Sequence, residues 1–342
     1  MSKTRFVLAH LPVILLTGLF IISCGNNSDN KSNSVKGMSE IAKEFPYQKV
    51  PTFIQTQEEA TRYMARNFWK SYFNQAAKDT ALYNLAPDKL EDAYAKYVTI
   101  LNILENMRWS GVEGDVEKCY KLIEQSQKRL FAMADSIYMA GHPSLLMGLI
   151  GLSEKYLYDP NSPYLNEETY IPALEAILEL KGIDSLKKIS YEWQLDLARL
   201  NRIGETANNF DFVYKKGNSI KRNTLHTINA QYLLLYFNNP DCSSCKGQRE
   251  LLLSSPKVAQ MIKNGEMKVL SMYIDEQVEL WEKHYADVSE TPNWIYARDE
   301  KLILRDNELY GIRAIPSMYL LDKDKKVILK DATAEMVLSY FR

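Results

Sequence analysis

The chain has 342 residues, of which 46% are hydrophobic, and its 42 basic and 43 acidic side chains leave a formal net charge of -1. That composition suits a folded chain long enough for two domains. It excludes the bulk positive charge on which nucleic-acid binding relies, so no nucleic-acid partner is expected.

Lys3 and Arg5 precede an apolar run from Phe6 to Ile22, which closes on Ser23, Cys24 and Gly25. A basic start, an apolar middle and a small residue before the cut mark an export signal, expected over residues 1–23. The arrangement resembles a bacterial lipoprotein signal, which implies that Cys24 becomes the lipidated first residue of the mature chain. An uncleaved transmembrane anchor is the alternative, because the run approaches the length of a membrane span. Both readings put the remainder outside the cytoplasm, and no later stretch is apolar enough to cross a bilayer. From Cys24 to residue 36 the chain is Gly, Asn, Ser, Asp and Lys with little that can join a core, and a flexible tether is expected.

An all-α domain is expected over residues 37–203. Thr56 and Glu59 form a capping box, followed by Ala60, Met64, Phe68 and Tyr72 at helical spacing. A second helix carries Leu90, Tyr94, Tyr97, Leu101 and Leu104. A third carries Val116, Cys119, Ile123, Leu130, Met133 and Ile137, and stops at Gly141-His142-Pro143. Cys119 lies on that apolar stripe and reads as a packing residue. Further helices are expected at about 144–156, 167–180 and 185–200, the last burying Leu186, Ile189, Trp193, Leu197 and Leu200. The loop Tyr158 to Pro163 holds two prolines. Nothing in this half carries a catalytic motif.

The pattern changes near Gly204, and residues 204–342 read as a second domain. Phe210 to Tyr214 is a short strand followed by a turn at Lys215 to Asn218, and Tyr232 to Phe237 is a longer buried strand. A helix is expected from about Ser243 to Ile262, then a strand from Met267 to Ile274. The result is a β-α-β unit with parallel strands. Ser317 to Leu321 and Lys326 to Leu329 flank Asp322-Lys323-Asp324-Lys325. That tetrad lacks the glycine and distal glutamate of a calcium loop and reads as a hairpin turn.

Cys242-Ser243-Ser244-Cys245 stands directly between the longer strand and its helix. A helix N-terminus favours a thiolate, the attacking species in thiol-disulfide exchange, and a second thiol one turn on can resolve the mixed disulfide. Half of a zinc site would need two more ligands, and His10, His142, His226 and His284 are scattered singly. No metal or other cofactor is expected.

With these residues and Tyr310-Gly311-Ile312-Arg313-Ala314-Ile315-Pro316, the stretch from Gly204 onward resembles an α/β thioredoxin-fold domain of the membrane-anchored envelope thiol-disulfide oxidoreductases. The resemblance implies that Cys242 attacks and Cys245 resolves. It also implies that Pro316 follows a cis peptide bond beside the cysteines, with the Ile315 backbone pairing to the substrate strand. An insertion around Trp281, His284 and Trp294, read as a helix plus a strand, separates the two motifs more widely than in a minimal thioredoxin. The helical half resembles a domain that precedes thioredoxin domains in lipoproteins of Bacteroides-like bacteria. Two positions depart from the family pattern: Tyr236 stands where thioredoxins carry a buried acid, and Gln248 where envelope reductases often carry a glutamate. Asp241 opposes a Cys242 thiolate and Lys246 favours it.

The expected function is therefore a lipid-anchored envelope oxidoreductase that reduces or isomerises protein disulfides. Its partners are disulfide-bonded or thiol-containing envelope proteins, an upstream electron donor for reduction, and the membrane through its anchor. The expected location is the outer membrane, on its periplasmic face or the surface. The alternative is a binding lipoprotein whose thioredoxin fold is a redox-inactive scaffold; a thiol peroxidase fits less well, since no Ser or Thr stands three residues before either cysteine.

Overall fold

Helices fill the first half of the chain and a seven-stranded sheet organises the second in the computed structural model, which describes residues 44–107, 115–217, 219–287 and 293–342. The expected signal, Cys24 and the tether lie outside the described residues. Among those residues no helix is long and apolar enough to cross a membrane.

The capping box forms: Thr56 Oγ1 accepts the Glu59 N–H at 3.2 Å and donates to Glu59 Oε2 at 2.9 Å. Helix α1 (Gln57–Asn67) ends sooner than the spacing suggested, and α2 (Lys70–Ala76) restarts beyond Phe68 and Trp69. The break turns both aromatic rings inward against Phe45, with centroids 6.1 and 5.4 Å away. Helix α3 (Pro87–Met107) buries all five expected residues, and α4 (Asp115–Met139) buries Cys119, Ile123, Leu130 and Ile137. Buried tyrosines find partners, as they must away from water: Tyr94 OH meets Ser153 Oγ at 2.7 Å and Tyr97 OH meets Ser126 Oγ at 2.6 Å.

Helix α5 (Ser144–Ser153) runs into a π-helical turn over Glu154–Tyr158, and α6 (Glu167–Glu179) follows the proline loop. Helix α6 is buried on nearly every side and forms the axis of this half. Helix α7 (Ser185–Ala198) departs from expectation, because Leu186, Ile189 and Trp193 are 75%, 59% and 49% exposed. The helix instead packs through Tyr191, Gln194, Leu195, Leu197 and Ala198, with Gln194 Oε1 accepting the buried Tyr170 hydroxyl at 2.7 Å. That polar contact helps turn the face and leaves the apolar stripe outside.

The second half begins with a hairpin, β1 (Asp211–Lys216) and β2 (Ser219–Thr224). Strand β2, which is mostly exposed and polar, carries no alternation that would have announced it. Next come β3 (Tyr232–Asn238), α8 (Ser243–Ser254), α9 (Pro256–Asn264) and β4 (Met267–Tyr273). The single helix expected here is split because Pro256 opens a new one, capped by Ser255 Oγ accepting the Val258 N–H at 3.4 Å. The insertion is α10 (Val278–Asp287) and β5 (Trp294–Arg298), followed by a short α11 (Ile303–Asp306). A hairpin of β6 (Ser317–Asp322) and β7 (Val327–Ala332) precedes α12 (Ala334–Tyr340). Its turn is held by Asp322 Oδ1, which accepts the N–H groups of Asp324 and Lys326, each at 2.8 Å.

The strand order is β2-β1-β5-β4-β3-β6-β7. Strands β3, β4 and β5 run parallel, and β6 lies antiparallel on the other side of β3. Successive side chains of β3 alternate between two cores: Leu233, Leu235 and Phe237 on one face, Leu234 and Tyr236 on the other. Both faces are dry, which explains the unbroken apolar run in this strand. This is an α/β thioredoxin fold preceded by an all-α half.

Candidate active site

The central strand β3 ends at Asn238, and a short polar loop carries the chain to Cys242. Asn238 Nδ2 donates to Ser271 Oγ at 2.7 Å, and Asn239 Nδ2 donates to Asp275 Oδ2 at 2.6 Å, so the end of β4 braces the loop. Asn239 Oδ1 accepts the Asp241 N–H at 3.0 Å, closing an Asx turn.

Cys242 is the N-cap of α8, with φ -83° and ψ 107°. Its Sγ accepts the Cys245 N–H at 3.1 Å, and its carbonyl accepts the Lys246 N–H at 3.1 Å. The two cysteines are joined in a disulfide with Cα atoms 5.2 Å apart. Ser243 and Ser244 are exposed, Cys242 is half-buried and Cys245 is only 4% exposed. One sulfur is thus presented outward, and the other is shielded one turn deeper. Lys246 Nζ turns toward Glu250, 4.0 Å away.

The Ile315-Pro316 bond is cis. Pro316 leads directly into β6, whose Ser317 pairs with Phe237 of β3. The loop therefore arrives beside the strand end that delivers Cys242, and Ile315 and Cys242 pack on the same buried cluster as Cys245. Four sequence-predicted positions, Cys242, Cys245, Ile315 and Pro316, share one neighbourhood. Cys24 lies outside the described residues.

The two departing positions have structural work. Tyr236 is buried and donates to the Cys245 carbonyl at 2.6 Å. Burial pushes its hydroxyl well above its ordinary value, against the pull of Arg249. Gln248 Oε1 accepts the Ala334 N–H at 2.5 Å and its Nε2 donates to Glu335 Oε2 at 3.3 Å, tying α8 to the start of α12. Among the described residues no group of three or more His, Cys, Asp or Glu could hold a metal ion.

Residues that no local pattern announced complete the setting. Arg313, two positions before Ile315, meets Glu167 Oε1 at 3.0 Å and Asp331 Oδ2 at 3.1 Å, and its guanidinium lies 4.0 Å above the Tyr158 ring. These partners are remote in sequence, and no short motif links them.

Residues 23–201 match the family model described as a domain of unknown function, DUF5106. A thioredoxin-like protein from Bacteroides caccae, whose crystal structure is known, is 30% identical over 87% of this chain and 98% of its own, with a TM-score of 0.72. The C-terminal domain of an uncharacterised protein from Bacteroides fragilis is 39% identical over 41% of this chain and 96% of its own, with a TM-score of 0.38. The thioredoxin domain of a thiol-disulfide oxidoreductase from Bacteroides vulgatus is 22% identical over 41% and 99%, with a TM-score of 0.34. No curated protein matches the chain.

Proposed function

The chain belongs to the DUF5106 family and to the thioredoxin-like proteins, and on that premise we propose that it is a thiol-disulfide oxidoreductase working through Cys242 and Cys245. The observation that carries the reading is the pair itself: a disulfide at the N-terminus of α8, its outer sulfur half-exposed and its inner one buried, beside the Ile315-Pro316 loop.

In the reducing direction, the Cys242 thiolate attacks one sulfur of a substrate disulfide. A mixed disulfide forms and the first substrate sulfur leaves as a thiolate. Cys245, after losing its proton, attacks Cys242 Sγ, releases the second substrate thiolate and closes the Cys242–Cys245 bond. Two electrons pass to the substrate, and a dithiol protein upstream must return them. The Ile315 backbone is the edge that receives the substrate strand. We further propose that Cys24 carries lipid and that the folded part faces disulfide-bearing proteins of the cell envelope.

Changing Cys245 to Ser blocks the second attack, so mixed disulfides with envelope proteins should accumulate on non-reducing gels. A variant that traps nothing, alongside a wild type inactive on a model disulfide, rejects the reading.

A second reading, a binding lipoprotein with an inert cystine, draws on Tyr236 and Gln248, which stand in the acid positions and are both engaged in structural hydrogen bonds. The reduction potential of the pair separates the two. A structural cystine lies below roughly -300 mV, and an exchanging one lies above it.

A further inference from the structure

Arg313 sits inside the loop that leads to Ile315, yet most of its partners lie in the helical half. Its Nη2 contacts Glu167 Oε1 at 3.0 Å, its Nη1 donates to the Tyr158 carbonyl, and the Tyr158 ring lies beneath it. Glu167 opens α6, and Tyr158 closes the π-helical turn after α5. The same guanidinium reaches Asp331 Oδ2 at 3.1 Å, on β7.

Strand β7 is irregular at this point. The register shifts between Met318 and Leu320, and Asp331 takes a left-handed φ of 46°. Neighbours on a regular strand point to opposite faces, whereas a bulge can turn two consecutive side chains to one side. Lys330 therefore joins Asp331 in the same cluster. Its Nζ meets Glu167 Oε2 at 2.7 Å and donates to the carbonyls of Ala198 at 2.8 Å and Leu200 at 2.5 Å, at the end of α7. The Lys330 and Glu167 side chains are only 4% and 8% exposed. Neighbouring tethers run in parallel: Trp193 Nε1 donates to Glu308 Oε2 at 3.2 Å, and Asn201 Nδ2 to the Leu309 carbonyl at 2.9 Å.

The loop from Gly311 to Pro316 belongs to no helix or strand. An edge that must pair with an incoming strand has to be held within a fraction of an ångström, and a loop without its own ladder must borrow that rigidity. A guanidinium can meet two carboxylates, a carbonyl and a ring at once because its donors lie in a planar fork; an ammonium on a flexible stem cannot.

We propose that Arg313 is a positioning residue through which the helical domain sets the Ile315-Pro316 edge for a disulfide-bearing protein strand. The helical domain is then part of the substrate site rather than a spacer. This rests on the oxidoreductase reading, with Cys242 doing the chemistry and Arg313 acting only through the loop.

The test compares full-length wild type with Arg313→Ala, which leaves Glu167 paired with Lys330. Should that variant fail to fold, Arg313→Lys keeps the charge at this half-buried position and carries the same test. Amide 15N order parameters over 311–315 should fall in the variant. Its kcat/KM for insulin should fall by roughly ten- to a hundredfold, mainly through KM, as expected for a misplaced binding edge. Exchange with oxidised glutathione, which needs no strand pairing, should be unchanged, as should the reduction potential of the cystine. Unchanged loop order parameters overturn the proposal, and so does a loosened loop with unchanged insulin kinetics. A wild type inactive on both disulfides rejects the oxidoreductase reading, and with it Arg313's role toward substrate; the loop's order parameters then decide only whether Arg313 holds the loop.

Discussion

The Tyr236 hydroxyl donates to the carbonyl of Cys245 at 2.6 Å, in the position where thioredoxins carry a buried acid. The phenol is buried, and burial drives its ionisation further from neutrality. It therefore serves as a donor that fixes the first turn of α8 and is no proton acceptor at working pH. Tyr236→Phe should cost about 1 kcal/mol of stability through the lost hydrogen bond. Between pH 6 and 9 the shape of its exchange-rate profile should match wild type, measured by stopped-flow fluorescence. A displaced inflection would mean that the hydroxyl takes part in proton transfer.

After gentle reduction, iodoacetamide should modify Cys242 well before Cys245 or Cys119. Cys245 is 4% exposed and Cys119 is fully buried on α4, whereas Cys242 caps α8 at the surface, where the helix N-terminus favours its thiolate. Peptide mass spectrometry over time reads the order. Equal rates at Cys242 and Cys245 would contradict the division between an outer attacking and an inner resolving thiol.

Glu335 offers a pH signature. Burial works to raise its carboxyl, but its own backbone N–H and the side chains of Thr333 and Gln248 together hold it below its ordinary value. A lowered native pKa means that the unfolded chain binds more protons in the acid range. The stabilisation is present above the unfolded value of about 4.3 and is lost as pH falls through the native one. Glu335→Gln should flatten that part of the acid limb in urea unfolding. Gln248→Glu should do the reverse: two facing carboxylates raise each other's pKa, so its deficit against wild type grows as pH rises from about 4 to 6. A deficit independent of pH would show that the two groups do not interact.

Lys330 is the buried cation on which Glu167 and the last carbonyls of α7 converge. Lys330→Met keeps the bulk, removes those bonds and leaves Glu167 to Arg313 alone. Breaking a buried pair in this way should destabilise the chain by about 3 kcal/mol. Equilibrium urea unfolding measures it, and a loss within the range of a surface pair would mean that water reaches the cluster.

Much of the candidate site is legible in the sequence, because it is local. An apolar strand, a C-x-x-C and a helix follow one another directly between Tyr232 and Ser254, and Ile315-Pro316 stands just ahead of an apolar strand. Helix α3 is legible for the same reason, since five of its inward residues, Leu90, Tyr94, Tyr97, Leu101 and Leu104, repeat at helical spacing. The break at Pro256 was also visible in principle, as a Ser-Pro pair that caps and opens a helix. Helix α7 is not legible because it has two apolar sets, and the buried one lies beside Gln194, whose partner Tyr170 is 24 positions away. Strand β2 was missed because it pairs through its backbone with β1 and buries almost nothing of its own.

What the chain determines by itself is the order of most of its elements and the placing of two thiols at a helix start: periodicity and capping act over a few residues, and the thiols need no distant partner to define their spacing. What only the tertiary structure decides is how the cysteine pair is framed. Tyr236 and Gln248 acquire their roles from a carbonyl on α8 and an amide on α12. Arg313, Glu167, Lys330 and Asp331 are ordinary charged residues in sequence. They become one cluster beside the Ile315-Pro316 loop, with Lys330 and Glu167 at its buried centre, because desolvated charges must find opposite partners, and here the partners come from both halves of the molecule.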